Sequence, residues 1–242
     1  MSVVGVFKDL VRRVRVWGIR SRARRLGEFA PAGRVLVIAP HPDDEVLGCG
    51  GVIARLVDAG RAPRVVILSK GEGSHAGCCG VSAEELKENR HGLTLKAAEI
   101  LGLPAENVTV LDCHDGKLRG DLAEIGKLKD IIGECRPDTI LVPHNGEGWN
   151  DHVMARKIGM ELAPEGCAVW EYCVWFWYYV TAKCHWGNAR VLKLTDKERE
   201  VKNRAVDAYV LPAAPCGRPW SGVLPGVMVG ACRGDLELFF RT

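Results

Sequence analysis

No stretch of this 242-residue chain approaches the ~20 consecutive apolar residues that carry a helix across a bilayer. Its first 25 residues also lack the unbroken apolar core of a secretion signal, because arginines interrupt it every few positions. The ten cysteines contain no CxxC pair, and the adjacent Cys78-Cys79 suits neither a zinc knuckle nor an easy disulfide. Cysteines inside apolar runs, such as Cys49 and Cys173, read as buried thiols in a reducing compartment. There is no internal repeat and no low-complexity tract. The expectation is a cytoplasmic protein, in contact with the inner membrane face at most peripherally.

Charge of one sign is scarce except at one end. The net charge is +3. Residues 1–25 carry Lys8, Arg12, Arg13, Arg15, Arg20, Arg22, Arg24 and Arg25 against Asp9 alone, so they hold +7 and the remainder −4. Val3, Phe7, Leu10, Val11, Val14 and Trp17 fall at helical spacing among those arginines. The chain therefore divides into a basic amphipathic helix within residues 1–30 and one domain over 31–242. Two readings of the helix stay open: it packs its apolar side on the domain and leaves its basic side in water, or it lies on anionic lipid. Nucleic acid is not a predicted partner, since no patch of aromatic and basic residues supports it elsewhere.

The rest of the sequence is organised around Ala39-Pro40-His41-Pro42-Asp43-Asp44-Glu45. The β-branched run Val35-Leu36-Val37-Ile38 before it reads as a strand buried on both faces. The prolines end the ladder, and a helical pattern from Glu45 to Ala59 follows. Further strands are predicted at 64–69, 107–112, 138–143 and 167–180, alternating with helices at 82–101, 120–135 and 152–162. The fold class is α/β: a Rossmann-like, doubly wound, mostly parallel sheet with helices on both faces. Trp175, Trp177 and Tyr179 alternate on the fifth strand as either core or a sugar platform, and the Pro- and Gly-rich 212–225 stretch is irregular and can cover one side of a site.

Gly48, Gly50 and Gly51 cost the first helix ~1 kcal/mol each relative to alanine, a cost offset by close helix–strand approach. A dinucleotide fingerprint is rejected. Its glycines belong in the strand–helix turn, and here that turn holds a histidine and carboxylates that repel a pyrophosphate.

One histidine and two aspartates at the carboxyl end of a strand occupy the place where open α/β sheets bind ligands. His41 and Asp44 lie three apart across a turn, and His152 starts a helix after another strand. Two imidazoles and a carboxylate with an open position are the ligand set of a catalytic zinc site, and Fe²⁺ or Co²⁺ fit it as well. Asp43 is then the carboxylate free to act as general base. The plainer use of Asp43 and Asp44 is to cap the helix.

The His41-Pro42-Asp43-Asp44-Glu45 motif, Gly48-Cys49-Gly50-Gly51 and Asp151-His152 together resemble the PIG-L/LmbE-like family of zinc-dependent de-N-acetylases, over about Arg34 to Arg156. Gly71-Glu72, the helix with Arg90, Ala97 and Leu101-Gly102, and Asp115-Gly116-Lys117-Leu118 fit further motifs of that family. The resemblance implies Zn²⁺ on His41, Asp44 and His152, with Asp43 as base. It also implies that Arg90 and Asp115 contact a sugar or its phosphate-bearing aglycone; read without it, they are a helix charge and a turn former. The implied activity is hydrolysis of an N-acetyl group from an N-acetylglucosamine-type sugar, small or lipid-linked, in glycoconjugate synthesis. An amidase for a larger acyl group and a non-catalytic metal- or sugar-binding module are the alternatives. Two positions depart from the pattern. Trp149 stands where the family often has a catalytic histidine; it becomes a substrate contact, and either His144 or His185 replaces the donor or Zn²⁺ alone does the electrophilic work. Leu93 stands where the helix often carries a glutamate.

Overall fold

The computed structural model describes residues 3–75, 80–118, 121–179 and 184–242, so the Cys78-Cys79 pair lies outside the described residues. The strands are β1 (Val35–Ala39), β2 (Arg64–Ser69), β3 (Val108–Cys113), β4 (Thr139–Pro143), β5 (Ala168–Tyr172), β6 (Ala189–Lys193) and β7 (Leu236–Arg241). They form one sheet in the order β3-β2-β1-β4-β5-β7-β6. The first five are parallel, and β7 pairs antiparallel with both β5 and β6. The helices are α1 (Val3–Ala23), α2 (Asp44–Asp58), α3 (Ala83–Leu101), α4 (Leu122–Cys135), α5 (Asn150–Leu162), α6 (Asp196–Val210) and α7 (Gly226–Cys232).

The unbroken apolar strands are buried on both faces, as their composition requires. Val35, Val37 and Ala39 enter one core with residues of α2, α3 and α6, whereas Leu36 and Ile38 enter a second core with residues of α4 and α5. The chain winds outward from β1 to β3 and then returns to β4 on the other side of β1. That reversal opens a crevice past the carboxyl ends of β1 and β4, where ligands bind in open α/β sheets.

The glycines of α2 allow the expected close approach. A Cβ at Gly48 would overlap the Tyr172 ring, and one at Gly50 would lie 2.9 Å from Lys202 Cγ. Through this gap two side chains reach the helix backbone. Glu237 of β7 accepts from the N–H groups of Gly51 (2.6 Å) and Val52 (2.9 Å), and Lys202 of α6 donates to the Leu47 carbonyl (3.0 Å). Their own ion pair is 2.7 Å long and almost fully buried.

Three expectations are corrected. The segment 167–180 is not one strand: β5 stops at Tyr172, and Trp175–Trp177 form a 3₁₀ turn. The carboxylate of Glu147 accepts the N–H groups of Val174 and Trp175, which draws the chain out of the ladder. The sheet also continues past the predicted strands through β6 and β7. Finally, α1 packs with the face opposite to the one its composition suggests. Ile19 and Ala23 are buried, Arg12 and Arg22 lie over the rings of Tyr178 and Trp186, and Arg15 and Arg20 donate to the carbonyls of Phe176 and Ala231. Phe7, Leu10, Val11, Val14 and Trp17 face outward instead.

Candidate metal and active site

His41 occupies the bend between β1 and α2, and Asp44 is the first residue of α2. Asp43, between them, has φ 108°, a left-handed value that costs a non-glycine residue about 1–3 kcal/mol. Glu45 holds this conformation: its Oε2 accepts the Asp43 N–H at 3.0 Å, and its Oε1 accepts the Tyr209 hydroxyl at 2.6 Å. Burial pushes the Glu45 carboxyl up to about 7 despite the Tyr209 bond. The Asp43 side chain makes no capping bond to α2. It faces Arg90, whose Nη2 is 3.6 Å away. Capping therefore does not account for it.

Three donors converge. Asp44 Oδ2 lies 3.2 Å from His41 Nδ1 and 3.4 Å from His152 Nε2, and the three ligand atoms all fall within 4.8 Å of one another. His152 arrives on the first turn of α5, after the loop that leaves β4. Behind each imidazole stands a carboxylate. His41 Nε2 lies 3.2 Å from Asp115 Oδ1 and 3.3 Å from Asp151 Oδ2. His152 Nδ1 is buried without a hydrogen-bond partner, 3.5 Å from Glu147 Oε2. Carboxylates placed behind ligating imidazoles fix their tautomer and orientation.

The electrostatics of the cluster suit a cation. Burial and the charge of Asp44 push the Asp43 carboxyl well above its usual range, against the pull of Arg90. Burial disfavours a charged His41, yet its bonds to Asp115, Asp151 and Asp44 raise it well above the usual imidazole range. Asp115 moves the other way, against burial, held down to about 2 by His41. A divalent ion at Asp44 would offset this crowding of buried carboxylates, and two nitrogens with one oxygen are donors suited to it. The residues fit the ion.

A cavity of about 460 Å³ opens over the cluster. His41, Asp43, Asp44 and His152 line it together with Arg90, Asp115 and Trp149. Arg90 is nevertheless occupied, since it donates to the carbonyls of Pro42 (2.6 Å) and Gly71 (3.3 Å), and its place is beside Asp43. Asp115 is likewise engaged, with Oδ2 accepting the Gly73 N–H at 2.8 Å. Trp149, 49% exposed, meets Trp175 with ring centroids 5.3 Å apart, so this pair forms a wall. Ser221 to Leu224 also line the cavity, as the irregular 212–225 stretch suggested.

His144 is not brought to the cluster. Its Nδ1 accepts the Gly146 N–H at 2.8 Å and its Nε2 lies 3.6 Å from Glu171. It lines a separate cavity of about 660 Å³ that His185 also lines. Sequence reasoning passed over Asp151 and Glu147 as supports of the two imidazoles, and Asn150 as a polar group on the cavity. Glu147 had a visible signal. It is a charged residue between Gly146 and Gly148, and Gly148 takes φ 75° where a Cβ would press on the Tyr179 ring.

A doubly wound sheet with His, Asp and His converging at its switch point, and a free aspartate alongside, defines an α/β protein with a candidate metal site at the ligand-binding edge of its sheet. The family of GlcNAc-PI de-N-acetylases (PIG-L) matches residues 36–163, just over half of the chain, and the protein belongs to that family. Diacetylchitobiose deacetylase of Thermococcus kodakarensis is 35% identical over 137 residues, covering 55% of this chain and 50% of that protein. The 4-oxalmesaconate hydratase of Pseudomonas putida is 30% identical over 136 residues, covering 54% and 52%. The chain thus spans about half the length of these curated relatives. Among solved structures, the A40926 pseudoaglycone deacetylase Dbv21 superposes with a TM-score of 0.65 at 21% identity, over 86% of this chain and 96% of that one. At that identity the likeness speaks for the fold.

Proposed function

We propose that the protein is a zinc-dependent hydrolase that removes the N-acetyl group of an N-acetylglucosamine-type sugar, free or joined to a lipid or other aglycone. The observation that carries this reading is the convergence of His41 Nδ1 and His152 Nε2 on Asp44 Oδ2, with an uncapped Asp43 carboxylate on the same cavity. His41, Asp44 and His152 hold the ion, which when bound acidifies water and polarises an amide carbonyl. Asp43 takes the proton of the attacking water, held in place by Arg90 and by the Glu45 bond to its N–H. Asp115, Asp151 and Glu147 keep the two imidazoles aimed at the ion. Trp149 and Trp175 offer an aromatic wall to the sugar or its aglycone. No described helix is long and apolar enough to cross a membrane. A cytoplasmic protein touching the membrane at its surface is the placement this reading carries.

Asp43→Asn separates base from ligand. It should leave the bound metal unchanged while acetate release falls about 10²–10⁴-fold, whereas Asp44→Asn should lose the metal. Full activity in Asp43→Asn removes the base assignment.

The hydratase relative favours a second reading, addition of water to a conjugated unsaturated acid at the same site. Metal-dependent loss of the conjugated absorbance, with no acetate released from N-acetyl sugars, would transfer the assignment to it.

A further inference from the structure

We infer that α1 is a docking face for an anionic lipid surface, one that brings the cavity to amino sugars carried on a lipid. The docking stands on its own observations; the substrate half rests on the deacetylase reading above. Phe7, Leu10, Val14 and Trp17 are 65%, 56%, 58% and 70% exposed, and Val6 and Val11 extend the same stripe along one side of α1. Such a row of large apolar side chains normally turns inward. Here the inward face is basic, and its arginines are held by aromatic rings, carbonyls and Asp235. Reversal of the helix is thus locked by specific partners.

Charge selects the occupant. Residues 1–25 carry +7 in all, and on α1 Lys8 and Arg13 are exposed on either side of the stripe, Arg13 lying 3.7 Å from Asp9. A second copy seated on this face would bring the exposed cations of two like-charged segments together. An anionic bilayer complements both features, because tryptophan and phenylalanine bury in the headgroup boundary while the cations meet lipid phosphates. The face is also coupled to the site. Arg12 lies 3.9 Å above the Tyr178 ring, Tyr178 meets Trp175 edge-on, and Trp175 joins Trp149 in the cavity wall. Val223, 69% exposed, adds an apolar lip to the same cavity.

The full chain is sedimented with vesicles of phosphatidylcholine alone or doped with phosphatidylglycerol, beside the variant Leu10→Gln/Val14→Gln/Trp17→Gln, whose changes are all at exposed helical positions. The native protein should pellet with the anionic vesicles and less with the neutral ones, and the variant should bind more than about tenfold more weakly. Failure of the native protein to pellet, or equal pelleting of the variant, overturns the docking. So does self-association in sedimentation velocity that the variant relieves without any vesicle binding, since the face then belongs to a second copy. Both proteins should release acetate equally from a soluble N-acetyl sugar, and the native protein faster from a lipid-anchored one in the vesicles. Equal rates on the anchored sugar overturn the substrate half. No acetate from either protein on either sugar overturns the deacetylase reading instead, with the docking still decided by pelleting.

Discussion

Replacing Lys202 by methionine tests how α2, the helix that begins at Asp44, is held. Lys202 and Glu237 form a buried pair at 2.7 Å, and between them they engage Leu47, Gly51 and Val52 in the middle of α2. At an effective dielectric of about 20, two charges at that distance attract by about 6 kcal/mol. Stripping one partner from such a pair costs about 3–5 kcal/mol, because the other charge stays buried without compensation. Methionine fills much of the volume, so the cavity contribution is small. The pH dependence identifies the cause. In the variant the stranded carboxylate escapes its charge by binding a proton in the folded state alone. The folded variant then holds more protons than its unfolded chain, so its stability relative to the native protein falls as pH rises, by up to about 1.4 kcal/mol per unit. Urea denaturation of both proteins between pH 5 and 8 measures this, with the difference between them largest at pH 8. A loss under about 1 kcal/mol at pH 8, or one that does not change with pH, would refute the idea that a buried charge pair clamps α2.

Glu147→Gln should weaken metal binding about 10–100-fold in calorimetric titration, through loss of the carboxylate behind His152. It should also cost about 1–3 kcal/mol of stability, as an amide donor comes to face the N–H of Val174 or Trp175. Asp115 is held down to about 2 in the metal-free protein, so it contributes stability above its unfolded value that is lost as pH falls through about 2. In chelator-treated protein, Asp115→Asn should therefore cost about 2 kcal/mol at neutral pH and nothing near pH 2, by thermal melts across that range.

The parts of the site written in contiguous residues were legible from the chain alone. The buried β-branched run, the two prolines and the carboxylate pair place His41, Asp43 and Asp44 at a strand end by local rules. Ser82 announces α3, where its side chain accepts the Glu85 N–H as expected. What stayed hidden depends on distant partners. β5 ends early because Glu147, on a loop more than twenty residues upstream, collects the N–H groups that would have continued the ladder. The facing of α1 is set by Tyr178, Trp186, Phe176 and Ala231, more than 150 residues away, and apolar periodicity within the helix predicts the reverse. His144 shares the strand-end position of a catalytic residue, yet its side chain turns toward Glu171 and the second cavity. Position along the chain carried no information on that rotation. α6 was within reach of local rules, because Thr195 and Glu198 form a complete capping box.

Trp149 in the family's histidine place bears on how the leaving amine obtains its proton. Both replacement donors considered from the sequence lie in the other cavity. Among the described residues that line the site cavity, the histidines are His41 and His152, and both are committed to the ion in the proposed reading. On that reading Asp43 is left as the group that both takes a proton from water and returns it to nitrogen. Its setting suits both steps, because its burial favours the neutral carboxyl while Arg90, 3.6 Å away, favours the charged one. The tryptophan therefore need not signal lost turnover. In the proposed reading it converts a position that serves the proton into one that serves the aglycone, and leaves the proton to Asp43, whose φ of 108° the Glu45 bond to its N–H holds.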